Sequence, residues 1–536
     1  MIKIRPWLQG VGLAMLYLLP LIAIFLAPDQ NDLYHQIFPV ISLTRGALLD
    51  LVFLGFLLGV ALAWLNTVTS PVLRRWLWIP ILFATAWCGE RGIAEFLRNI
   101  EAGVRLPGWS AHLPWVVLAL ALVLLLFARR YYDIAIATTE VLLISAGITT
   151  ALLILPRLVI ASFNHAPPEQ ASFTHSVRQP WHSGEPRVIW VLFDELSYNQ
   201  VFDHRQPSIE LPAFTAFQQT SISFSQLVPV GNMTDLVVPS LLLGQPIYAI
   251  KSNLSGELLW RSSPQMGWRR FDPEATVFAA ARRQGLGTGV DGWYNPYCRL
   301  LATILDRCYW NFEDFSGGSR FGRLSSERST LQNARDALPI VPLIEKVFEH
   351  GNANQGHTSQ SHRIDHDRVL KQAKPLIEDE NIRFAFIHLA VPHPPGIYPD
   401  PLEGGREDYL GNLILADQIL AEIRSTIEKT SSAADTILIV SSDHSWRIPF
   451  WRSSPGWTRA EERATNGGFF DKRPVLMVHF PQQTKAEQID RPESAMIVHS
   501  LLLDLFQGRV RTPKEWFAKF RPSIGGGQQE EISEKK

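Results

Sequence analysis

Cysteine is scarce in this chain: three among 536 residues, without any Cys/His finger spacing. Net charge is absent too, with 50 Lys and Arg against 51 Asp and Glu, a balance of −1. No basic tract breaks that balance locally. The electrostatic footprint that a phosphate backbone requires is therefore missing, which argues against nucleic acid as a partner. There is no internal repeat.

What the chain does have is apolar sequence, unevenly spread. The first 160 residues are dominated by Leu, Ala, Ile, Val and Trp, and the remainder is mixed in the manner of a globular domain. Apolar segments run through Trp7–Ala27, Ala47–Val68, Trp76–Gly89, Pro107–Ala128 and Ile134–Pro156. A spanning helix needs about 20 apolar residues. The third segment has only 14 uncharged residues before Glu90 and Arg91, and spans if those two snorkel or face other helices. Five spans from a cytoplasmic N-terminus place the rest of the chain outside. Lys3/Arg5, Arg74/Arg75 and Arg129/Arg130 then fall on the cytoplasmic side, as the positive-inside rule asks, although Arg91, Arg98 and Arg105 run against it. The first segment is too long for a signal-peptide core and reads as an anchor. The expected organisation is a five-helix transmembrane domain (1–160), a linker (161–186), an extracytoplasmic domain (187–515) and a disordered tail (522–536). Cys88 lies in the third segment and reads as an inert buried thiol. Cys298 and Cys308, ten apart, read as two free thiols or as a local disulfide, and the disulfide fits an oxidising compartment.

Within the soluble part, residues 187–193, 383–389, 436–442 and 474–479 are β-branched or aromatic runs and read as buried strands. Helical periodicity lies between them, notably over 407–429. Strands alternating with helices predict an α/β domain with a largely parallel sheet. Residues 316–334 and 350–366 are polar and read as loops or insertions.

Functional groups in such a sheet collect beyond the carboxyl ends of its strands. After 187–193 come Asp194 and Glu195; after 383–389 come His388 and His393; after 436–442 come Asp443 and His444. Thr234 and Asp235, before the apolar run LVVPSLLL, read on their own as an ordinary helix cap. The acidic and histidine groups at strand ends change that reading. Asp, His and a hydroxyl oxygen form a first shell for zinc or manganese, and a divalent ion is one of the few ways to favour a threonine alkoxide near neutral pH.

An acidic residue ending the first strand, a T-x4-P helix start at Thr234–Pro239, H-x4-H-x-P from His388, and SDH ending a later strand resemble, in that order, the alkaline phosphatase and sulfatase superfamily. The pattern is most similar to its membrane-anchored branch, which contains phosphoethanolamine transferases and lipoteichoic acid synthases. The resemblance implies an alkaline-phosphatase-like fold with Asp194, Thr234, Asp443 and His444 as metal ligands, Glu195 being the neighbouring alternative to Asp194. It implies that Thr234 is also the nucleophile and that His393, with His388, contacts the substrate phosphate. Asn412 and Asp417 match a structural helix. One or two divalent ions are implied, zinc or manganese ahead of calcium. Also implied are a phospholipid donor, an envelope glycan or lipid acceptor, and a bacterial inner membrane location with a periplasmic catalytic domain. Two departures stand out, one of them that several of the disulfides common in those transferases are missing. The transferases usually carry DHG and a further histidine a dozen residues on, whereas here DHS is followed by Trp446, Arg447 and Arg452; Arg447 becomes a substrate-binding candidate. A sulfatase would need a C/S-x-P-x-R element, and neither Cys298 nor Cys308 begins one. Hydrolysis of a phosphoester, or an inactive relative with a binding role, are the alternatives.

Overall fold

The run Arg187–Asp194 forms a strand buried along its whole length, as expected of an apolar sequence without polar alternation that is covered on both faces. The computed structural model describes residues 4–26, 29–30, 34, 41–99, 112–162, 172–174, 187–253, 256–312, 353–401 and 404–520. In it, this strand lies at the middle of a nine-stranded sheet. In chain order the strands are β1 Ser172–Thr174, β2 Arg187–Asp194, β3 Ile222–Phe224, β4 Gly287–Trp293, β5 Arg307–Asn311, β6 Ile382–Pro392, β7 Thr436–Ser442, β8 Leu476–His479 and β9 Glu487–Ile489. Their order across the sheet is β9-β3-β8-β7-β2-β6-β4-β5-β1. The run β7-β2-β6-β4-β5 is parallel throughout, and β8 and β1 join antiparallel. The α/β domain and its largely parallel sheet are as the sequence predicts.

Register brings the strand ends level. Phe193 of β2 pairs with Ser442 of β7 on one side and Leu389 of β6 on the other. The residues that follow therefore emerge side by side at one edge. β6 then shifts register between Leu389 and Pro392.

β4 (GTGVDGW) is absent from the sequence-based strands because its glycines dilute the β signal. Packing explains them: a Cβ on Gly292 would lie 2.3 Å from the Tyr297 ring. The segment 350–366 is corrected in its described part, since Ala353–Glu378 is a helix. Its polarity does not mark solvent. His362 and Asp365 are buried, and Asp365 Oδ2 accepts from Trp293 Nε1 at 2.9 Å. Of the expected linker, residues 172–174 form β1; the rest from 163, and the tail 522–536, lie outside the described residues, as does 316–334.

The chain divides into two compact units, the first comprising 1–169, 250–259 and 314–356 and the second the remainder. The first unit contains α1 Ile4–Leu26, α2 Ile41–Leu65, α3 Pro71–Asn99, α4 Leu113–Phe127 and α5 Arg129–Thr149, the last continuing through a π-helical turn into α6 Leu155–Ser162. The expectation of five spans is corrected here. Among the described residues, two stretches are long and apolar enough to cross a membrane, Ala47–Leu65 and Arg129–Ile160. α4 is 15 residues long, short of the length a bilayer core demands. α3 runs for 29 residues and takes in Arg74, Arg75, Glu90, Arg91, Glu95 and Arg98, so the expected loop from 90 is helical to Asn99. α1 and α5 pack closely: a Cβ on Gly12 would lie 2.0 Å from the Leu143 carbonyl oxygen, and one on Gly147 the same distance from that of Leu8. Small residues at helix contacts are how membrane helices approach one another.

Candidate active site

β2 ends on Asp194 and the next residue, Glu195, has φ of 61°. A glutamate in the left-handed region carries strain of about 1 kcal/mol and persists where its surroundings over-determine it. They do so here. Its amide donates to Asp443 Oδ1 at 3.2 Å, its carbonyl accepts from Tyr409 Oη at 2.9 Å, and Trp451 Nε1 donates to its carboxylate at 2.9 Å. Arg447 Nε also donates to that carboxylate, and the Arg447 amide reaches Oε2 at 3.2 Å. Tyr409 is held in turn by Trp446, whose ring stacks on it at 3.9 Å.

Thr234 is the first residue of the helix Thr234–Leu243, and Met233 occupies the cap position without a side-chain cap bond. The threonine hydroxyl is thus not spent on capping. Oγ1 donates to Asp194 Oδ2 at 3.1 Å and lies 3.3 Å from His444 Nε2. His444 Nδ1 lies 3.1 Å from the Ser445 carbonyl oxygen, and Nε2 lies 3.1 Å from Asp443 Oδ2. Asp443 Oδ1 accepts from the His444 amide at 2.8 Å, which fixes the aspartate beside the ring. Asp235, next in the helix, is buried, and burial pushes its carboxyl up to about 6.

The strand-β6 histidines flank the same edge. His388 Nε2 lies 3.5 Å from Asp194 Oδ2, and Nδ1 lies 2.7 Å from Tyr297 Oη. Burial lowers its pKa to about 4, so the ring is neutral. Arg447 Nη2 lies 2.9 Å from His393 Nε2. A guanidinium only donates, so Nε2 is the acceptor. Burial, with Arg447 next, keeps His393 well below the usual imidazole range. Asn412 Nδ2 donates to the carbonyls of His393 at 3.0 Å and Pro395 at 3.1 Å, holding this turn. Asp417 caps the helix Pro212–Gln218 through Phe214 N at 2.8 Å. His479, on β8, bonds the Thr220 carbonyl at 2.7 Å and packs as scaffold.

Among the described residues, two sets of side chains have ligand atoms within 4.8 Å of one another: Asp194, Asp443 and His444, and Asp194, Glu195 and His393. They differ in what already satisfies them. In the second set Arg447 bonds both Glu195 and His393, so the protein supplies that cluster with its own cation. In the first set Asp194 Oδ1 and Asp443 Oδ2 are buried without a hydrogen-bond partner. Burial, then Asp443, then Glu195 push the Asp194 carboxyl well up. Carboxylates orphaned and crowded in this way fit a divalent cation, with Thr234 Oγ1 and His444 Nε2 as further donors. The residues therefore fit one metal better than two.

Sequence reading missed Trp293, Tyr297 and Trp451. Trp293 packs 5.1 Å from His393, and Tyr297 orients His388. The available signal for the first two was the aromatic-rich GWYNPY at the end of β4. Cys298 and Cys308 in this region form a disulfide.

Residues 186–508 match the Sulfatase family model. No curated protein matches the chain in sequence. Among solved structures, it is similar to the PsFucS1 sulfatase from Pseudoalteromonas sp. at 14% identity, covering 60% of this chain and 68% of that one with a TM-score of 0.39. It is similar to the phosphonate monoester hydrolase of Agrobacterium radiobacter at 14% identity over 60% and 74% of the two chains, TM-score 0.36. A protein in the alkaline phosphatase superfamily from Vibrio parahaemolyticus gives 13%, 61%, 67% and 0.38.

Proposed function

The chain belongs to the sulfatase family, and from that premise we propose that it is a metal-dependent phosphotransferase of the bacterial envelope. It moves a phosphorylated head group, phosphoethanolamine or phosphoglycerol, from a phospholipid to a glycan or lipid through a phosphothreonine at Thr234. The observation that carries this reading is the Thr234 hydroxyl, free of capping, 3.1 Å from Asp194 Oδ2 and 3.3 Å from His444 Nε2. A bound divalent ion, zinc or manganese, supplies Lewis acidity to the hydroxyl and the phosphoryl oxygen.

The chain's own residues do the rest. Thr234 Oγ1 gives up its proton and forms the bond to phosphorus while the diacylglycerol oxygen leaves and takes up a proton. An acceptor hydroxyl then gives up its proton, attacks the same phosphorus and releases Thr234, whose oxygen takes up a proton in turn. Arg447, its side chain 15% exposed, holds a fixed positive charge beside the nucleophile for phosphoryl oxygens. His393, neutral and tethered through Asn412, positions the group. A formylglycine sulfatase mechanism is disfavoured, because threonine stands at the nucleophile position and the two soluble cysteines are tied to each other. Support for a membrane location comes from the two apolar stretches of spanning length, and support for a periplasmic catalytic domain from the disulfide.

The test is peptide mass spectrometry of the full-length protein after incubation with phospholipid and manganese or zinc. A head-group adduct on the Thr234 peptide, absent from T234A and retained in T234S, is expected. Head-group release without an acceptor would assign hydrolysis instead. Turnover by T234A equal to wild type would remove Thr234 as nucleophile.

A further inference from the structure

Away from the nucleophile, β4 carries another buried carboxylate. Asp291 stands within the strand, its backbone paired with Tyr309 of β5 and Ile387 of β6. It is 1% exposed, and neither carboxylate oxygen has a hydrogen-bond partner. Burial pushes this carboxyl well above the usual range, and Arg307 counters only in part. Arg307 is engaged elsewhere: Nη1 donates to the Pro375 carbonyl at 3.0 Å and lies 3.7 Å from Asp379 Oδ2. A carboxyl group left like this costs stability in either protonation state. Among the described residues, no hydrogen bond to Asp291 repays that cost.

Asp291 lines a cavity of about 370 Å³, with Ser172 and Thr174 of β1, Arg307, Tyr309 and Gln372 among its other walls. Small-molecule sites run from about 300 to 1,000 Å³. The space opens to solvent beside β1, where Ser172 and Thr174 are exposed, so a small solute can enter it. A bare hard cation does not suit it, since it asks for about six oxygen ligands and would find one carboxylate. The charge calls for a cation that brings its own bulk, and the hydroxyl and amide walls call for hydroxyl groups on it.

We propose that this cavity binds a small organic ammonium compound bearing hydroxyl groups, an amino sugar or amino alcohol, with its ammonium on Asp291 and its hydroxyls on Ser172, Thr174 and Gln372. The site stands on the cavity and the orphaned carboxylate, independently of the role given to Thr234. Two residues further along the same strand, Trp293 packs 5.1 Å from His393 and 6.0 Å from His388. Occupancy therefore bears on the strand that backs the active site.

The experiment is thermal unfolding of the full-length protein in detergent, with millimolar glucosamine or ethanolamine against their uncharged counterparts glucose and ethylene glycol. At least one amine is expected to raise Tm in the wild type while its uncharged counterpart does not. The shift disappears in Asp291→Asn, which is itself more thermostable than wild type without ligand. Gln372→Leu, on the wall, weakens the amine about tenfold by titration and serves if D291N does not fold. Equal shifts from the uncharged compounds overturn the proposal, as does a shift retained in D291N, or an unchanged affinity in Q372L. No shift with either amine in the wild type also overturns it and leaves a cavity that holds solvent only.

Discussion

At the scale of single residues, the buried pair Glu195–Arg447 shows why Asp194 and Glu195, adjacent in sequence, play different parts. Asp194 keeps an orphaned oxygen for a cation, whereas Glu195 is saturated by Arg447 and Trp451. The glutamate side chain is 0% exposed. Removing one partner of such a pair strands the other charge and costs about 3–5 kcal/mol. Arg447→Met is expected to lose about that much by urea unfolding, and adding Glu195→Gln to restore most of it. A double variant no more stable than R447M would show that the guanidinium does not hold the Glu195 charge. Both forms are expected to lose activity, because the guanidinium that bonds Glu195 and His393 is gone in each. This pairing was not legible in the sequence. Its members lie 252 residues apart, and Arg447 stood out only because it occupies a segment where a related enzyme would carry something else.

At the scale of elements, most of the site was legible because it lies where strands stop. Apolar runs mark β2, β6 and β7, and the first polar residues after each are Asp194, His393 and Asp443–His444. The adjacent β4 escaped notice since Gly287, Gly289 and Gly292 break its β pattern, and with it went Trp293 and Tyr297. Gly292→Ala tests why the glycine is there. Its Cβ would meet the Tyr297 ring at 2.3 Å, so the ring must leave His388. The expected cost is about 1–3 kcal/mol for overpacking, with a matching loss of activity; an unperturbed Tm would mean that β4 has room to yield. The helix Arg459–Ala464 carries a pH-sensitive cap. Glu461 closes a capping box with Thr458 and accepts from Tyr409 N at 3.1 Å, yet burial, then Asp408, push it up to about 7. An unfolded glutamate titrates near 4.5. Between those values the unfolded state releases its proton while the folded state keeps it, so this group's contribution is lost as pH rises to 7. Glu461→Gln is expected to remove a fall of about 2–3 kcal/mol between pH 5 and 8. Buried His362 and His388, lowered to about 3 and about 4, act in the other direction, losing stability as pH falls below their unfolded value of 6.5. The difference between E461Q and wild type isolates the glutamate, and parallel pH curves for the two would refute the assignment.

At the scale of the whole molecule, the compartment that holds the second unit would decide which donor and acceptor the proposed transferase could meet. Counting apolar segments is a fragile guide, since parity changes with each doubtful span, and the described helices offer two clear ones rather than five. The pair Cys298–Cys308 gives an independent measure. Both thiols are buried, 3% and 2% exposed, and closed into a bridge across ten residues. A loop of that size contributes about 2–3 kcal/mol by the chain-entropy account, and it forms only where thiols are oxidised. Alkylation of intact cells before lysis, followed by peptide mass spectrometry without reductant, is expected to recover the two peptides joined and Cys88 unlinked. Retaining the domain in the cytoplasm by deleting the helical unit should leave both thiols free and the protein less stable by the same 2–3 kcal/mol. A pair found reduced in native membranes would place the domain in a reducing compartment, where envelope glycans are out of reach, and the acceptor would then have to be a cytoplasmic one.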